Sequence, residues 1–189
     1  SEMCIRDRVP GGRSSGARDD EAVPTRKNSL IEQGRLVGSL WSTRDAAQQI
    51  AEGRIDIATS TGSAIRSGHQ SPPVSGCSNL FLTSSQKGRS YEEMLEMIEE
   101  GYIVNSVMGA HTANPTSGDF SVTTSSILRV EGGEVIGAVK QAGLSGNLAN
   151  ALKDGVTLGD EVRPQGSYSS GSMYLPNVLL RNGLRVNPV

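Results

Sequence analysis

Asp119-Phe-Ser-Val-Thr-Thr-Ser-Ser-Ile-Leu-Arg-Val130 runs into Glu131-Gly-Gly-Glu134 and out again from Val135 to Leu144. The first run alternates in part between apolar and small polar side chains, the period of a half-buried strand. Gly132 and Gly133 offer a two-residue turn that tolerates positive φ, so the stretch reads as a β-hairpin. Two other stretches follow the same plan. Ser29 to Trp41 holds two short apolar runs around Glu32-Gln-Gly34, and Tyr174 to Leu180 leads through Asn182-Gly183 into Leu184–Val186. Asn-Gly is the strongest short hairpin signal in the chain.

Three helices interrupt these strands. Ser90-Tyr-Glu-Glu93 is a capping box followed by Met94, Leu95 and Ile98 on one face, with Gly101 as the stop. Thr43 caps a second helix whose Ala46, Ala47, Ile50 and Ala51 form an apolar stripe ending at Gly53, and a third runs from Asn147 to near Gly155. Ser67 to Ser78, with Pro72-Pro73, is a loop by composition, and Gly159 to Gly171 reads as irregular. Helices scattered among several β runs give an α+β domain, mainly antiparallel hairpins with about three short helices.

A chain of 189 residues, 35% apolar, fits one core of ordinary composition. With 1 Trp, 4 Tyr and 2 Phe, that core must be filled by Val, Ile, Leu, Ala and Met. The formal net charge of -2, with both signs interspersed, leaves no basic stripe to neutralise phosphates, which argues against nucleic acid as a partner. No run of eighteen apolar residues occurs, so no membrane span is expected. Cys4 and Cys77 are the only cysteines. With Cys4 set aside for the reason given below, no intramolecular disulfide is expected, and a reducing, cytoplasmic location fits best.

The chemical inventory is thin. A peptidase zinc needs three protein ligands and an open position, usually with two His one helical turn apart. The two histidines, His69 and His111, stand in Gly/Pro-rich surroundings without that spacing. A set of His69, Cys77 and His111 would need the Ser67–Ser78 loop and the surroundings of His111 to converge, and separate loop residues are the plainer reading. Asp19, Asp20 and Glu21 could offer oxygens to a hard cation, yet consecutive acids diverge in direction and a solvated structural turn explains them. Cys77 has no basic neighbour to activate it, and an inert thiol is the plainer reading. No Gly-x-Ser-x-Gly elbow is present, and Leu144-Ser-Gly-Asn-Leu148 falls short of a phosphate-binding fingerprint.

Several landmarks occur in a fixed order: Asp19-Asp-Glu-Ala-Val-Pro-Thr25, Ser29-Leu-Ile-Glu-Gln-Gly34, Ser60-Thr-Gly-Ser-Ala-Ile-Arg66, Ser78-Asn-Leu80, Tyr91-Glu-Glu-Met-Leu95, Gly109-Ala-His-Thr-Ala-Asn-Pro-Thr-Ser-Gly-Asp-Phe-Ser121 and Leu144-Ser-Gly-Asn-Leu148. Together, from about Gly16 onward, they resemble the C-terminal domain of the TldD/PmbA family of zinc-dependent peptidases, on its PmbA/TldE-like side. The resemblance implies a subunit of a zinc metallopeptidase complex that degrades small or unfolded peptides. The catalytic partner of such a complex carries His-Glu-x-x-x-(Asp)-His and a late Cys in a Cys-Gly-Lys context. Neither occurs here, and Gly166-Ser-Tyr-Ser-Ser-Gly-Ser172 stands where that Cys would fall.

The implied role is therefore non-catalytic, with zinc residing in a TldD-like partner subunit and no metal ligand or catalytic residue in this chain. His111, Asn114, Asp119 and Ser121 are the residues expected to line the peptide channel or the partner interface. The plainer alternative makes His111 a loop imidazole bonded to a nearby carbonyl and Asp119 a cap for backbone amides. Two other functions stay open: a peptide-binding protein without protease activity, and a regulator of a nucleic-acid enzyme. The first eight residues, Ser1-Glu-Met-Cys-Ile-Arg-Asp-Arg8, resemble a translated sequencing adapter and are set aside, leaving 9–189 as the domain and upstream domains as missing.

Overall fold

The computed structural model describes residues 2–6, 9, 14–84, 86–153, 155–165 and 172–188. Among these, the first part of the chain forms β1 (Glu2–Arg6), β2 (Lys27–Glu32), β3 (Arg35–Leu36), α1 (Thr43–Ala51), β4 (Ala64–Ile65), β5 (Val74–Ser75) and β6 (Asn79–Thr83). There follow α2 (Tyr91–Glu96), β7 (Glu100–Met108), β8 (Asp119–Glu131), β9 (Glu134–Val139), β10 (Ala142–Asn147) and α3 (Leu148–Lys153). β11 (Thr157–Gln165), β12 (Ser172–Leu179) and β13 (Leu184–Pro188) complete the chain. The mostly antiparallel pairing and the short helices make this the expected α+β fold. Contacts divide it into two compact units, 1–87 with 161–176 and 88–160 with 177–189.

The first unit is built on a six-stranded sheet in the order β11-β12-β6-β1-β2-β3. The β2–β3 hairpin turns through Gln33 and Gly34 at φ 51° and 78°, positive at both positions as a tight two-residue turn requires. Glu2–Arg6, within the segment that the sequence reading set aside, pairs antiparallel with both β2 and β6. Cys4 and Ile5 are buried there, Ile5 with only 1% of its surface exposed. Burial of so apolar a run between two strands is favourable whatever its origin. β12 joins β6 in parallel, and Phe81 stacks on Tyr174 with ring centroids 4.3 Å apart.

Helix α1 starts one residue earlier than the sequence suggests. Ser42, not Thr43, is the N-cap, its hydroxyl accepting from Asp45 N at 3.0 Å, and Gly53 follows the helix at φ 66°. Ala46 is buried, whereas Ile50 is exposed, so the stripe meets the fold along a narrower line than expected. Ser67 to Ser78 is not all loop either: β4 and β5 pair antiparallel, Ala64 with Ser75 and Ile65 with Val74.

The second unit centres on β8. Its outer half pairs with β9 and its inner half with β10 along one edge, while β7 runs along the other. The expected hairpin from Asp119 to Leu144 is present, with its return arm broken at Lys140-Gln141 and extended to Asn147. Gly132 and Gly133 turn it at φ 56° and 81°. Thr124 is fully buried, and its hydroxyl donates to Ala142 O and accepts from Ala142 N, both at 3.0 Å. That reciprocal pair locks the β8–β10 register, since slipping it would bury an unpaired hydroxyl. Val122, Ile127, Val130, Ala142, Leu144 and Ala151 pack the core of this unit.

The capping box at α2 forms as read: Ser90 N donates to Glu93 Oε2 at 2.8 Å and Glu93 N to Ser90 Oγ at 3.2 Å. The helix ends at Glu96, however, and Gly101 already lies in β7, a strand that the sequence reading did not find. Residues 159–165, expected to be irregular, belong to β11, and 166–171 lie outside the described residues.

The tail corrects the strongest turn signal. Gly183 takes the positive φ of 82°, but β12 and β13 do not pair with each other: β12 joins β6 and β11, and β13 joins β10. The reason is a close approach. A Cβ on Gly146 would sit 2.3 Å from Gly183 O, and one on Gly183 would sit 2.7 Å from the Ala151 backbone. Two glycines thus let the bend seat itself on β10 and α3, and a bend so seated delivers β13 to β10.

Candidate functional site

The segment Gly109 to Ser121 connects β7 to β8 in the second unit, and almost every polar group in it has a local task. Gly109 at φ 88° opens a single 3₁₀ turn, Ala110–Thr112, and the Thr112 hydroxyl donates to Gly109 O at 2.7 Å. Asn114 Oδ1 accepts from Thr116 N at 2.9 Å and Ser117 N at 3.1 Å, the self-bonding that makes Asn a turn residue. Asn114 N donates to Asp119 O and Gly118 N to Asn114 O, each at 2.9 Å, closing the loop on itself.

Asn147, at the end of β10, holds this loop from outside. Its Nδ2 donates to Ser117 O at 2.8 Å and to Asp119 Oδ1 at 2.7 Å, and its Oδ1 accepts from Asn150 N at 3.1 Å as the cap of α3. Leu148 N adds a bond to Gly118 O at 2.8 Å. The Asn147 carboxamide, and after it Ser117, hold the Asp119 carboxyl below the usual carboxylate range. In sequence Asn147 reads only as a helix start. Its second role needs Leu144–Leu148 and the Gly109–Ser121 loop to meet, which no local pattern announces.

Of the four expected lining residues, Asn114 and Asp119 therefore spend their side-chain oxygens on the loop. His111 stands exposed on the 3₁₀ turn, and Ser121 is exposed on β8 where it pairs with Ser145. The loop is thus braced by its own side chains and by Asn147, and it carries His111 on its exposed 3₁₀ turn.

The acidic run at Asp19–Glu21, in the first unit, is a staple. Asp19 accepts from Glu21 N, Val23 N and Ala64 N at 3.0, 2.9 and 3.0 Å. Asp20 Oδ2 accepts from Arg66 N and Glu21 Oε2 from Thr43 N, each at 2.7 Å. The three carboxylates thus bond to different backbone amides, as the reading of a structural turn expects. The Thr43 bond places a negative charge at the start of α1, where the helix dipole favours it.

His69 and Cys77 belong to the first unit and His111 to the second, and among the described residues no three His, Cys, Asp or Glu side chains come together as a metal site. Tetrahedral zinc needs such convergence.

The second unit also holds an open cleft of about 660 Å³ between the end of α2, β7, β8 and the residues after β12. Met97, Ile98 and Leu179 supply apolar wall, and Arg129 crosses it, bonded to Glu131 at 2.5 Å and Glu100 at 3.3 Å. Arg129 Nε is buried and has no hydrogen-bond partner among the described residues. No local pattern announces this cleft, because Ile98 to Gly101 reads as the end of a helix.

No helix among the described residues is long and apolar enough to cross a membrane. Residues 2–185 match the family described as the PmbA/TldA metallopeptidase C-terminal domain. The chain is 30% identical to an uncharacterized protein, MJ0231, of Methanocaldococcus jannaschii over 162 residues, 86% of this chain and 35% of that protein. It is 27% identical to the metalloprotease PmbA of Escherichia coli O157:H7, covering 88% of this chain and 32% of the relative. Its fold superimposes on the crystal structure of TldE from Thermococcus kodakarensis with a TM-score of 0.80 and 27% identity, over 98% of this chain and 39% of that one. The chain thus spans about a third of the length of these relatives. It belongs to the TldD/PmbA family, of which it carries the C-terminal domain.

Proposed function

We propose that this domain is part of a PmbA/TldE-like, non-catalytic subunit of a cytoplasmic zinc metallopeptidase assembly, and that it shapes the chamber in which a TldD-like partner degrades small or unfolded peptides. The observation that carries the reading is the likeness to TldE over nearly the whole chain. The residue inventory agrees: the chain has two histidines, neither within a helical turn of another, so it lacks the paired-His helix a peptidase zinc uses. On this reading the metal chemistry resides in the partner. Here the chain contributes the braced 109–121 loop, with His111 and Ser121 facing the peptide or the partner and Asn114, Asp119 and Asn147 fixing their position.

A chamber wall of this kind selects by access. An extended chain can enter a narrow passage, whereas a folded domain cannot without unfolding, which costs several kcal/mol. The test is zinc content and peptide hydrolysis of the full-length protein, alone and mixed with a TldD-like protein of the same source. Hydrolysis only in the mixture, with zinc in the partner, is the expected result. Stoichiometric zinc and hydrolysis by this protein alone would overturn the reading. Recovery of an in-frame genomic sequence continuing upstream through Ser1–Arg8 would likewise sink the adapter origin of that segment.

A further inference from the structure

Asn182-Gly183 is the one place in the chain where an asparagine precedes a glycine. Both residues are exposed and lie between β12 and β13, outside any helix or strand. Among the described residues the Gly183 N–H donates no hydrogen bond, although the Gly183 carbonyl accepts from Asn147 N at 3.4 Å. A glycine amide is the least hindered of backbone nucleophiles, because no Cβ stands beside it. The carboxamide adjoining it is that of Asn182. Every other asparagine lacks this combination. Asn114 and Asn187 precede prolines, which have no N–H. Asn28, Asn79, Asn105, Asn147 and Asn177 lie in strands and Asn150 in α3, where regular bonding holds the backbone and the next residue bears a side chain.

We propose that Asn182 is a site of spontaneous deamidation in the folded protein. The Gly183 nitrogen, losing its proton to a solvent base, attacks Asn182 Cγ; the carboxamide C–N bond breaks and ammonia leaves, taking up a proton. Water then opens the cyclic imide. Addition at Cγ gives aspartate, whereas addition at the main-chain carbonyl of residue 182 gives isoaspartate, in which the chain runs through Cβ and Cγ. Either product adds a negative charge, and isoaspartate also lengthens the backbone by a methylene group. The fold leaves no slack for that extra atom. A Cβ on Gly183 would lie 2.7 Å from Ala151 backbone atoms, and one on Gly146 would lie 2.3 Å from Gly183 O, so the bend is seated tightly on α3 and β10. Among the described residues β13 has β10 as its one strand neighbour. Conversion to isoaspartate therefore unseats β13 from β10, and the bend acts as a slow, one-way release of the last strand.

The proposal is independent of the chamber-wall reading and is tested on the chain without any peptidase assay. The chain is incubated in mildly alkaline buffer, folded and in parallel unfolded in urea, and its tryptic peptides are compared by mass spectrometry. Cleavage after Arg181 and Arg185 isolates Asn182–Arg185. In the folded chain Asn182 should convert several-fold faster than any other asparagine, faster still as pH rises, with isoaspartate among the products. Conversion in urea alone, with Asn182 intact in the folded chain, would overturn the proposal. Brief trypsin treatment of the folded chain reads the consequence: cleavage after Arg185, within β13, should rise several-fold in step with isoaspartate. Asn182→Gln, whose longer side chain closes its ring slowly, should keep its mass and its slow cleavage over the same incubation. Equal cleavage in aged wild type and aged Asn182→Gln would overturn the release of β13.

Discussion

Replacement of Asn147 by alanine tests whether the Gly109–Ser121 platform is braced from outside. The side chain joins three things: the Ser117 carbonyl at 2.8 Å, the Asp119 carboxylate at 2.7 Å and the Asn150 amide at 3.1 Å. Loss of an Asn cap costs about 1 kcal/mol, and loss of one neutral hydrogen bond about another 1 kcal/mol. The Asp119 contact lies in water and is left out of the sum. Asn147→Ala should therefore lower stability by about 2 kcal/mol, which for a urea slope of about 2 kcal/mol per molar moves the midpoint down by about 1 M. Asn147→Asp separates the parts. It keeps the cap, since Asp serves as well as Asn, but removes both donors and sets a second carboxylate beside Asp119. Its deficit should shrink as acid protonates the pair. Urea titration followed by far-UV circular dichroism reads all three proteins. An Asn147→Ala midpoint within about 0.2 M of wild type, or a deficit in Asn147→Asp that ignores pH, would refute the account.

Two further outcomes follow from the geometry. The carboxyls of Asp45, held down chiefly by the Ser75 hydroxyl and then by Ser42, and of Asp119, held down by Asn147, both lie below their ordinary value of 3.8. Stability from such lowered groups is complete above the unfolded value and is lost as pH falls through the folded one. The urea midpoint should hold from neutral pH to near 4 and drop below it, and Asp45→Asn should flatten part of that drop; an unchanged acid profile in Asp45→Asn removes the argument. Gly183→Ala and Gly34→Ala share a positive φ, 82° and 78°, but a Cβ at 183 would lie 2.7 Å from Ala151 backbone atoms whereas one at 34 meets nothing within 4 Å. The backbone term is about 1 kcal/mol in both, and the clash adds about 2 kcal/mol at 183 alone. Equal thermal shifts in the two variants would show that the bend does not seat on α3.

Local signals were legible wherever the determining atoms are close in sequence. Glu131-Gly-Gly-Glu134, Glu32-Gln-Gly34 and the Ser90–Glu93 capping box specify their turns and cap through neighbouring dihedrals and bonds, and each forms as read. The landmark order from Asp19 to Leu148 identified the family, and the divergence of consecutive acids foretold a structural role for Asp19–Glu21. What the sequence could not assign was partnership. Asn182-Gly183 encodes a bend, yet the strand after it pairs with β10 because Gly146 admits the Gly183 carbonyl. β7 went unread because its pattern follows a capped helix without a clear stop, and only pairing with β8 makes it a strand. Asn147 reaches Ser117 and Asp119 only once β10 lies beside β8. Turn and cap geometry is set by bonds within a few residues, whereas strand partners and the bracing of the loop depend on groups that only the folded chain brings within hydrogen-bond distance.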